Sequence, residues 1–336
     1  MTVRHFLTTA DWDRSELQSL IDHATQLQAG ESSSALAGKS IALLFFNPSL
    51  RTRTSFELGA HQLGGKAIVL APGKDAWPLE FRPEVTMDRT AEEHVQEAVS
   101  VLSRYCDLIA VRAFPKFEDW SVDRDDALIR ACARYASVPV INMETIVHPC
   151  QELALMKTIQ SHLGKPDKKK FLLTWTYHPK PLNTAVANSA LLIATKFGMD
   201  VTLLCPDDEY LLDERYMTLG GQYARDSGGS LSVSHDINDA YDGAEFVYAK
   251  SWGALPYFGR WQDEKPKRDT LRHFIVDGAK MARTDHARFS HCLPLRRNVK
   301  ATDEVMDAPY CVAIDEAENR LHVQKALMAH LTGNPL

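Results

Sequence analysis

Short apolar runs alternate with helical patterns along nearly the whole chain. This alternation predicts parallel β-sheets covered by helices on both faces, an α/β fold of the doubly wound kind. The predicted strands are 40–46, 66–70, 107–111 and 138–142 in the first half, and 171–175, 201–204, 230–234, 246–249, 274–276 and 310–314 in the second. The predicted helices are 52–63, 91–104, 125–135, 151–163, 183–197, 213–226 and 316–331.

The two series of strands favour two domains. The chain has 336 residues, of which 45% are hydrophobic, enough for one large core or two medium ones. We expect two doubly wound parallel-sheet domains, one over 1–150 and one over 151–315, bridged by the helix at 151–163. The last helix, within 316–333, is expected to return to the first domain.

Charge and patterning disfavour several classes of protein. The 38 Lys and Arg residues oppose 44 Asp and Glu residues, a formal charge of -6, so no nucleic-acid partner is expected. Without a signal-peptide pattern or a stretch of membrane-spanning length, the sequence predicts a cytoplasmic protein with no membrane partner. The six cysteines are scattered without a C-x-x-C pair, so neither a disulfide framework nor a metal site is expected.

A candidate anion site lies at residues 47–54, Asn-Pro-Ser-Leu-Arg-Thr-Arg-Thr, where a predicted strand passes through a proline turn into a helix. Backbone N–H groups at a helix start, hydroxyl groups and the guanidinium of Arg51 together favour a bound phosphate. The alternative is that Ser49 only caps the helix while Arg51 and Arg53 are solvated. The chain contains neither G-x-x-x-x-G-K-[ST] nor G-x-G-x-x-G, which disfavours P-loop and dinucleotide sites.

Further polar side chains follow predicted strand ends. Arg112 ends one strand, and His148 and Gln151 flank a proline after another. An imidazole or amide N–H that donates to a carbonyl oxygen can polarise an acyl carbon for attack. The alternative for His148 is a packed histidine at a helix start. The run 290–297, Ser-His-Cys-Leu-Pro-Leu-Arg-Arg, is a weak signal by itself.

Three motifs in this order, S-x-R-T-R-T at 49–54, H-P-x-Q at 148–151 and H-C-L-P at 291–294, resemble those of the carbamoyltransferase family. The resemblance extends from Phe6 to the last helix, and H-C-L-P favours the ornithine branch over the aspartate branch. It implies transfer of a carbamoyl group from carbamoyl phosphate to an amine. It also implies two α/β domains in a homotrimer, with no metal and no organic cofactor.

The loop 249–256, Ala-Lys-Ser-Trp-Gly-Ala-Leu-Pro, departs from the ornithine branch, which has an Asp there for the free α-ammonium of ornithine. Lys250 would repel that ammonium, whereas an N-acylated ornithine carries a neutral amide and leaves its α-carboxylate to be paired. With the loops 72–78 and 177–182, this loop resembles the branch that acts on N-acetylornithine. Relatives in that branch thread the proline-rich loop through the second domain as a knot, and the resemblance extends this expectation to the chain.

The resemblance also links one position to the choice of acyl group. Enzymes for N-acetylornithine carry a Glu in the loop after the tryptophan, and those for N-succinylornithine carry a Pro; here Glu92 aligns with the Glu. A fixed carboxylate would repel the second carboxylate of a succinyl group. The alternative is an exposed residue in the first turn of a helix.

The resemblance implies a role for each matched residue. Carbamoyl phosphate is expected to contact Ser49, Leu50 through its backbone N–H, Arg51, Thr52, Trp77 of a neighbouring subunit, Arg112, His148, Gln151, the carbonyls of Cys292 and Leu293, and Arg320. The expected catalytic set is Arg112, His148, Gln151 and Cys292, and N-acetylornithine is expected to contact Glu144, Lys250 and Leu293. A nucleophilic thiol at Cys292 is disfavoured, because an amine attacking an acyl phosphate needs no covalent intermediate.

Lys300 matches a lysine that can be carboxylated in the acetylornithine branch, and its alternative is an exposed lysine. The expected reaction carbamoylates the δ-amine of N-acetyl-L-ornithine, giving N-acetyl-L-citrulline and phosphate in arginine biosynthesis. N-succinylornithine and ornithine are the alternative amines, disfavoured by Glu92 and Lys250. A two-domain anion-binding protein is the alternative from another class, and a nucleic-acid-binding regulator is the weakest.

Overall fold

The computed structural model describes residues 3–333. They divide into two compact units. The first unit contains the described residues up to Lys116, Ser121–Cys150 and the chain from Arg320 onward; the second contains Phe117–Trp120 and Gln151–Asn319. Within residues 3–333, no helix has both the length and the apolar character needed to cross a membrane.

The first unit is built on a parallel sheet. Its strands and helices, some shared in part with the second unit, are β1 (Ser40–Phe45), β2 (Lys66–Leu70), β3 (Leu79–Glu80), β4 (Glu93–His94), β5 (Leu108–Arg112), β6 (Val140–Glu144), α1 (Arg14–Gln28), α2 (Leu50–Gln62), α3 (Val95–Tyr105), α4 (Trp120–Asp123) and α5 (Ala127–Tyr135). Four strands pair in the order β2-β1-β5-β6, all parallel, and β3 and β4 form a separate parallel pair.

The register of the four-stranded sheet brings three strand ends to one edge. Phe45 pairs with Arg112, and Arg112 pairs with Glu144. The turn after β1 leads directly into α2, which Ser49 caps. The carboxyl edge of a parallel sheet is where open α/β folds bind ligands. Below this edge, an apolar core packs the sheet against α3 and α5 through Ala42, Leu44, Val95, Val99, Ile109, Val111, Ile129 and Val140.

The second unit has a larger parallel sheet. Its strands and helices are β7 (Lys170–Trp175), β8 (Asp200–Leu204), β9 (Ser230–Ser234), β10 (Phe246–Lys250), β11 (Arg288–Ser290), α6 (Pro149–Leu163), α7 (Ala185–Lys196), α8 (Glu214–Ser227), α9 (Ile237–Tyr241), α10 (Trp261–Asp269), α11 (Gly278–Met281), α12 (Asp303–Met306) and α13 (Ala313–Leu331). The strand order is β11-β10-β7-β8-β9, all parallel. Of α13, residues up to Asn319 belong to this unit, and those from Arg320 belong to the first.

A central helix fills one face of the second sheet. Every residue of α7 is buried, and its sequence is mostly apolar, as expected for a helix without a solvent face. The neighbouring α8 approaches α7 closely at Gly220, where a Cβ atom would lie 2.2 Å from Cδ2 of Leu191. A side chain at this position would therefore require the end of the Leu191 side chain to move.

Two predicted strands of the second unit are wrong. Residues 274–276 begin within a 3₁₀ turn, Arg272–Phe274, and among residues 3–333 they form one isolated bridge, from Val276 to Ala301. Residues 310–314 also make one bridge, from Cys311 to Phe289, before α13 begins at Ala313. In both places, short apolar runs are buried by turns rather than by a ladder, and periodicity cannot separate the two. The parallel architecture itself is as predicted, while the knot stays a prediction.

Candidate active site

The start of α2 presents backbone N–H groups at the carboxyl edge of the first sheet. Ser49 has extended backbone angles, with φ at −157°, and its Oγ accepts a hydrogen bond from the N–H of Thr52 at 3.1 Å. The remaining first-turn N–H groups and the positive end of the helix dipole favour an anion there. The capping alternative is therefore true of Ser49 and does not conflict with anion binding.

Three arginines in the first unit influence one another electrostatically. Arg320 is 3% exposed, and its Nη2 donates to the hydroxyl of Thr52 at 2.7 Å. Burial lowers the pKa of Arg320, and the positive charges of Arg112 and Arg51 lower it further, against a raising effect from Glu144. Arginine stays protonated in spite of such shifts. The cluster thus holds buried positive charge, which a bound anion would stabilise.

Arg53 differs from Arg51 although both lie in the same motif. Its side chain is 57% exposed and lies 3.5 Å from a carboxylate oxygen of Glu57, one turn along α2. An exposed pair of this kind contributes little to stability. The solvated alternative therefore describes Arg53 but not the half-buried Arg51.

Arg112 is held by a buried carboxylate at the end of the neighbouring strand. Its Nη1 donates to Glu144, and an oxygen of the same carboxylate lies 3.5 Å from Nε2 of His148. The guanidinium also lies 4.6 Å above the ring of Phe114. Nε of Arg112 is buried and donates to no residue among 3–333. Glu144 thus fixes Arg112 and His148 together and leaves a buried donor for another acceptor.

Trp77 and Glu92 lie together at the pair formed by β3 and β4. The N–H of Glu92 donates to the carbonyl of Pro78 at 3.2 Å, which places Glu92 beside the residue that follows Trp77. Trp77 is 65% exposed, and Glu92 is exposed as well. A large aromatic side chain left in solvent in this way is typical of a contact with another molecule.

Two lysines lie close together in the second unit. Lys250 ends β10, and its Nζ is 3.8 Å from Sγ of Cys292. Lys300 is buried, and burial, reinforced by the positive charge of Lys250, lowers its pKa to about 7. Nζ of Lys300 lies 3.3 Å from Nε2 of His291.

The hydrogen bonds of His291 indicate which form of Lys300 fits. The N–H of Leu293 donates to Nδ1 of His291 at 2.8 Å, so the proton of the imidazole is on Nε2. That nitrogen points its proton at the amine of Lys300, which can accept it only when it is uncharged. This geometry fits a neutral Lys300, and the lowered pKa makes the neutral form accessible near neutral pH.

A buried histidine, His178, and an arginine, Arg296, lie near the two lysines. His178 lies in the proline-rich loop after β7, and its Nδ1 is 2.8 Å from the carbonyl of Lys180. Burial lowers the pKa of His178 to about 4, and the charges of Lys300, Arg296 and Lys250 act in the same direction. A neutral histidine among cations favours an anionic ligand, such as a carboxylate.

The H-C-L-P segment turns sharply. The Leu293–Pro294 bond is cis, and Leu293 has φ at +50°, a region that side-chain-bearing residues rarely adopt. Residues held at such a φ concentrate at functional sites. Gln151, which is 2% exposed, donates from Nε2 to Glu316 at 2.5 Å.

Two domain matches decide the family. Residues 4–161 match the domain described as "Aspartate/ornithine carbamoyltransferase, carbamoyl-P binding domain". Residues 181–331 match the one described as "Aspartate/ornithine carbamoyltransferase, Asp/Orn binding domain". The chain belongs to the aspartate/ornithine carbamoyltransferase family.

Individual carbamoyltransferases match over the full length. One from Xanthomonas campestris pv. campestris, named N-acetylornithine carbamoyltransferase, is 66% identical over 335 residues, 99% of each chain. The crystal structure of acetylornithine transcarbamylase complexed with acetylcitrulline matches with a TM-score of 0.97 at 65% identity, over 98% of this chain and 99% of that one. A crystal structure of a glutamate-to-proline mutant of N-acetyl-L-ornithine transcarbamylase, complexed with carbamyl phosphate and N-succinyl-L-norvaline, matches equally well, over 98% of this chain and 100% of that one. The predicted carbamoyltransferase fold is confirmed.

The structure places the residues predicted for a carbamoyltransferase site in four groups. In the first unit, the start of α2 and the arginine cluster bring together Ser49, Leu50, Arg51, Thr52, Arg112, Glu144, His148 and Arg320. Trp77 and Glu92 form the second group, at β3 and β4. In the second unit, Lys250, Cys292, Leu293 and Lys300 gather around His291, and Gln151 contacts Glu316.

Sequence reasoning missed three residues of this carbamoyltransferase chain. His178 had a signal, since it lies in a proline-rich loop directly after a strand. Arg296 lies shortly after H-C-L-P, but the sequence around it indicated no role for it. Glu316 had no usable signal, because an acidic residue in the first turn of a helix is ordinarily interpreted as a favourable dipole contact.

Proposed function

We propose that the protein transfers the carbamoyl group of carbamoyl phosphate to the δ-amine of N-acetyl-L-ornithine, giving N-acetyl-L-citrulline and phosphate, as a step of arginine biosynthesis. The observation that carries this proposal is the 66% identity, over 99% of both chains, to an N-acetylornithine carbamoyltransferase. The proposal includes a cytoplasmic location.

Carbamoyl phosphate presents two groups that the protein must bind, a phosphate and a carbamoyl group. Its phosphate binds at the start of α2, through Ser49, the N–H of Leu50, Arg51 and Thr52, with Arg320 donating from α13. The buried charge of the arginine cluster supports this assignment. Arg112 and His148 donate to the carbonyl oxygen, while Gln151 and the carbonyls of Cys292 and Leu293 bind the amino group.

The reaction follows from these positions. The neutral δ-amine attacks the carbamoyl carbon, and negative charge develops on the carbonyl oxygen of a tetrahedral intermediate. Donors fixed in advance by Glu144 stabilise this oxyanion without rearrangement, which is the usual source of catalysis in acyl transfer. The intermediate then collapses, the C–O bond to phosphate breaks, and the departing phosphate takes the proton that the δ-nitrogen loses, while the arginines stabilise its negative charge.

The amine substrate is recognised by charge. Lys250 and Arg296, beside neutral His178, form surroundings in which a free α-ammonium is repelled and an α-carboxylate is attracted. We assign the α-carboxylate of N-acetylornithine to Lys250. The contacts of the same substrate with Glu144 and Leu293 remain predictions, and Glu144 has Arg112 as its partner in this structure.

Glu92 selects acetyl over succinyl in this proposal. Its carboxylate is exposed and its backbone is anchored to Pro78, so it can repel a second carboxylate on the acyl group. The glutamate-to-proline mutant of the related enzyme, crystallised with N-succinyl-L-norvaline, supports the assignment.

Trp77 serves a neighbouring subunit in the proposed homotrimer. Trp77 and Val101 are both exposed and line one surface pocket, and this apolar patch supports an interface between copies of the chain. The Trp77 side chain would reach the phosphate site of the neighbour, so that a monomer would lack one ligand.

Lys300 is the proposed site of carboxylation. Its neutral amine would add to CO₂, forming an N–C bond and releasing one proton, and a carbamate oxygen would then accept the Nε2 proton of His291. A carbamate ¹³C resonance in protein incubated with ¹³C-bicarbonate, absent from Lys300→Arg, is expected. Its absence from the unchanged protein would refute the assignment.

The deciding assay measures ureido product from carbamoyl phosphate with ornithine, N-acetylornithine and N-succinylornithine in parallel. Turnover of N-acetylornithine alone is expected, and Lys250→Met should raise KM for that amine with little change in KM for carbamoyl phosphate. Turnover of N-succinylornithine instead would contradict the role of Glu92. Binding of carbamoyl phosphate without turnover of any amine would favour the anion-binding alternative.

A further inference from the structure

One buried carboxylate of the second unit gathers donors from three elements. Glu316, in the first turn of α13, is 0% exposed. Its Oε1 accepts from Nε2 of Gln151 at 2.5 Å and from the hydroxyl of Tyr248 at 2.9 Å, and its Oε2 accepts from the hydroxyl of Ser290. Tyr248 and Ser290 are direct neighbours across β10 and β11. Glu316 thus joins β10 and β11 to the start of α6.

The carboxylate determines which way the Gln151 amide faces. An amide has a donor end and an acceptor end of nearly the same shape, and it can turn over to exchange them. All three hydrogen bonds named above run into the Glu316 carboxylate, so Nε2 of Gln151 faces it and Oε1 faces the other way. Oε1 of Gln151 is buried and accepts no hydrogen bond from residues 3–333. A buried acceptor without a donor is costly, and a ligand that carries an N–H removes the cost.

Carbamoyl phosphate carries such a donor in its amino group. We propose that Glu316 is a positioning residue that holds Gln151 with its oxygen toward this amino group, so that the enzyme distinguishes carbamoyl phosphate from acyl phosphates that lack an N–H. The proposal rests on the use of carbamoyl phosphate given above. Acetyl phosphate is the matched probe, because a methyl group replaces the amino group in a molecule of the same shape and charge.

The variant Glu316→Gln tests the positioning role. The new amide offers a donor as well as an acceptor, so Gln151 is free to turn over and point its own N–H groups at the amino group of the substrate. We expect kcat/KM for carbamoyl phosphate to fall by about 10- to 100-fold, the usual effect of leaving one buried hydrogen bond unmatched. Inhibition by acetyl phosphate should change much less, since the methyl group makes no hydrogen bond with Gln151.

The readout is the ratio of the inhibition constant of acetyl phosphate to KM for carbamoyl phosphate. Tyr248→Phe is the matched control, because it removes another donor from the same carboxylate and leaves the Gln151 contact in place. The ratio should fall in Glu316→Gln and stay at the wild-type value in Tyr248→Phe. An unchanged ratio in Glu316→Gln, or an equal fall in both variants, would show that Glu316 has only a structural role.

Exchanging the two groups provides a second test that survives a folding failure of Glu316→Gln. The double variant Gln151→Glu/Glu316→Gln keeps one carboxylate and one amide in the pair, and the new carboxylate still presents an acceptor to the substrate. Its added charge weakens binding of both phosphates, so the ratio should remain near that of the wild type. Gln151→Met, which removes the acceptor, gives the reference value for a lost contact. A double variant with a ratio as low as that of Gln151→Met would overturn the proposal. Wild-type enzyme without turnover of carbamoyl phosphate would instead refute the proposed function, independently of these variants.

Discussion

Positive charge is built differently in the two units. The first unit collects arginines, Arg51, Arg112 and Arg320, around the start of α2. The second collects lysines and a histidine, Lys250, Lys300 and His178, with Arg296 beside them. Arginine keeps its charge at any physiological pH, whereas a buried lysine or histidine loses its proton instead. The first cluster therefore keeps its charge, which Glu144 balances in part and a bound anion would stabilise further, whereas Lys300 and His178 of the second can become neutral.

Replacing one arginine should give the largest effect. We expect Arg51→Ala to lower kcat/KM for carbamoyl phosphate by about 10³-fold, because a charge-assisted contact to the phosphate is lost. Arg53→Ala is the matched control, since the Arg53 side chain is exposed and its one ion pair within residues 3–333 is with Glu57. Steady-state kinetics of both variants check the prediction, and equal losses in the two would remove the distinction between the half-buried and the solvated arginine.

The lysine cluster should show itself as a pH dependence of stability. Lys300 binds its proton with a pKa of about 7 in the folded chain, against 10.5 in the unfolded chain. Between these values the unfolded chain holds more protons, so the free energy of unfolding rises with pH, by a few kcal/mol in total at order of magnitude. Urea unfolding in CO₂-free buffer at pH 7 and at higher pH should show this rise in the wild type and its loss in Lys300→Met. Parallel profiles would contradict a neutral Lys300.

The smallest effect is expected at Cys292, next to Lys250. Cys292→Ala keeps the backbone carbonyl, which is the group assigned to the substrate, and removes only the thiol. Turnover should stay within about tenfold of the wild type, because no covalent intermediate is needed. A fall of several orders of magnitude in the variant, together with a burst of phosphate from the wild type in the absence of amine, would show that the thiol is a nucleophile.

Local sequence pattern was enough to predict a candidate anion site at the start of α2, but it was not enough to predict the lysine cluster of the second unit. Ser49, Arg51 and Thr52 are neighbours in sequence, so a single strand-to-helix segment already displays the chemistry of an anion site. Lys300, His291 and Lys250 come together only through the order of the strands, which no local pattern determines. The lost proton of Lys300 depends on burial, a property of the folded chain.

The same limit explains the errors of detail. Alternating strands and helices predicted two parallel sheets, because periodicity reports which residues face a core. Periodicity cannot show how a buried run pairs the N–H and C=O groups of its backbone. Residues 274–276 do so at a turn and not in a sheet ladder. Glu316 is the extreme case, since its three donors come from residues separated from it by 165, 68 and 26 positions.

The long reach of α13 has a consequence for the way in which the chain folds. Glu316 and Arg320 lie one turn apart on that helix, and their partners Gln151 and Thr52 lie 165 and 268 residues earlier in the sequence. Contacts between such distant residues are slow to form, because a long loop must close before they are made. Until α13 docks, Thr52 lacks the guanidinium that contacts it and Gln151 lacks the carboxylate that orients it, so the set of substrate ligands is completed by the contacts of highest contact order.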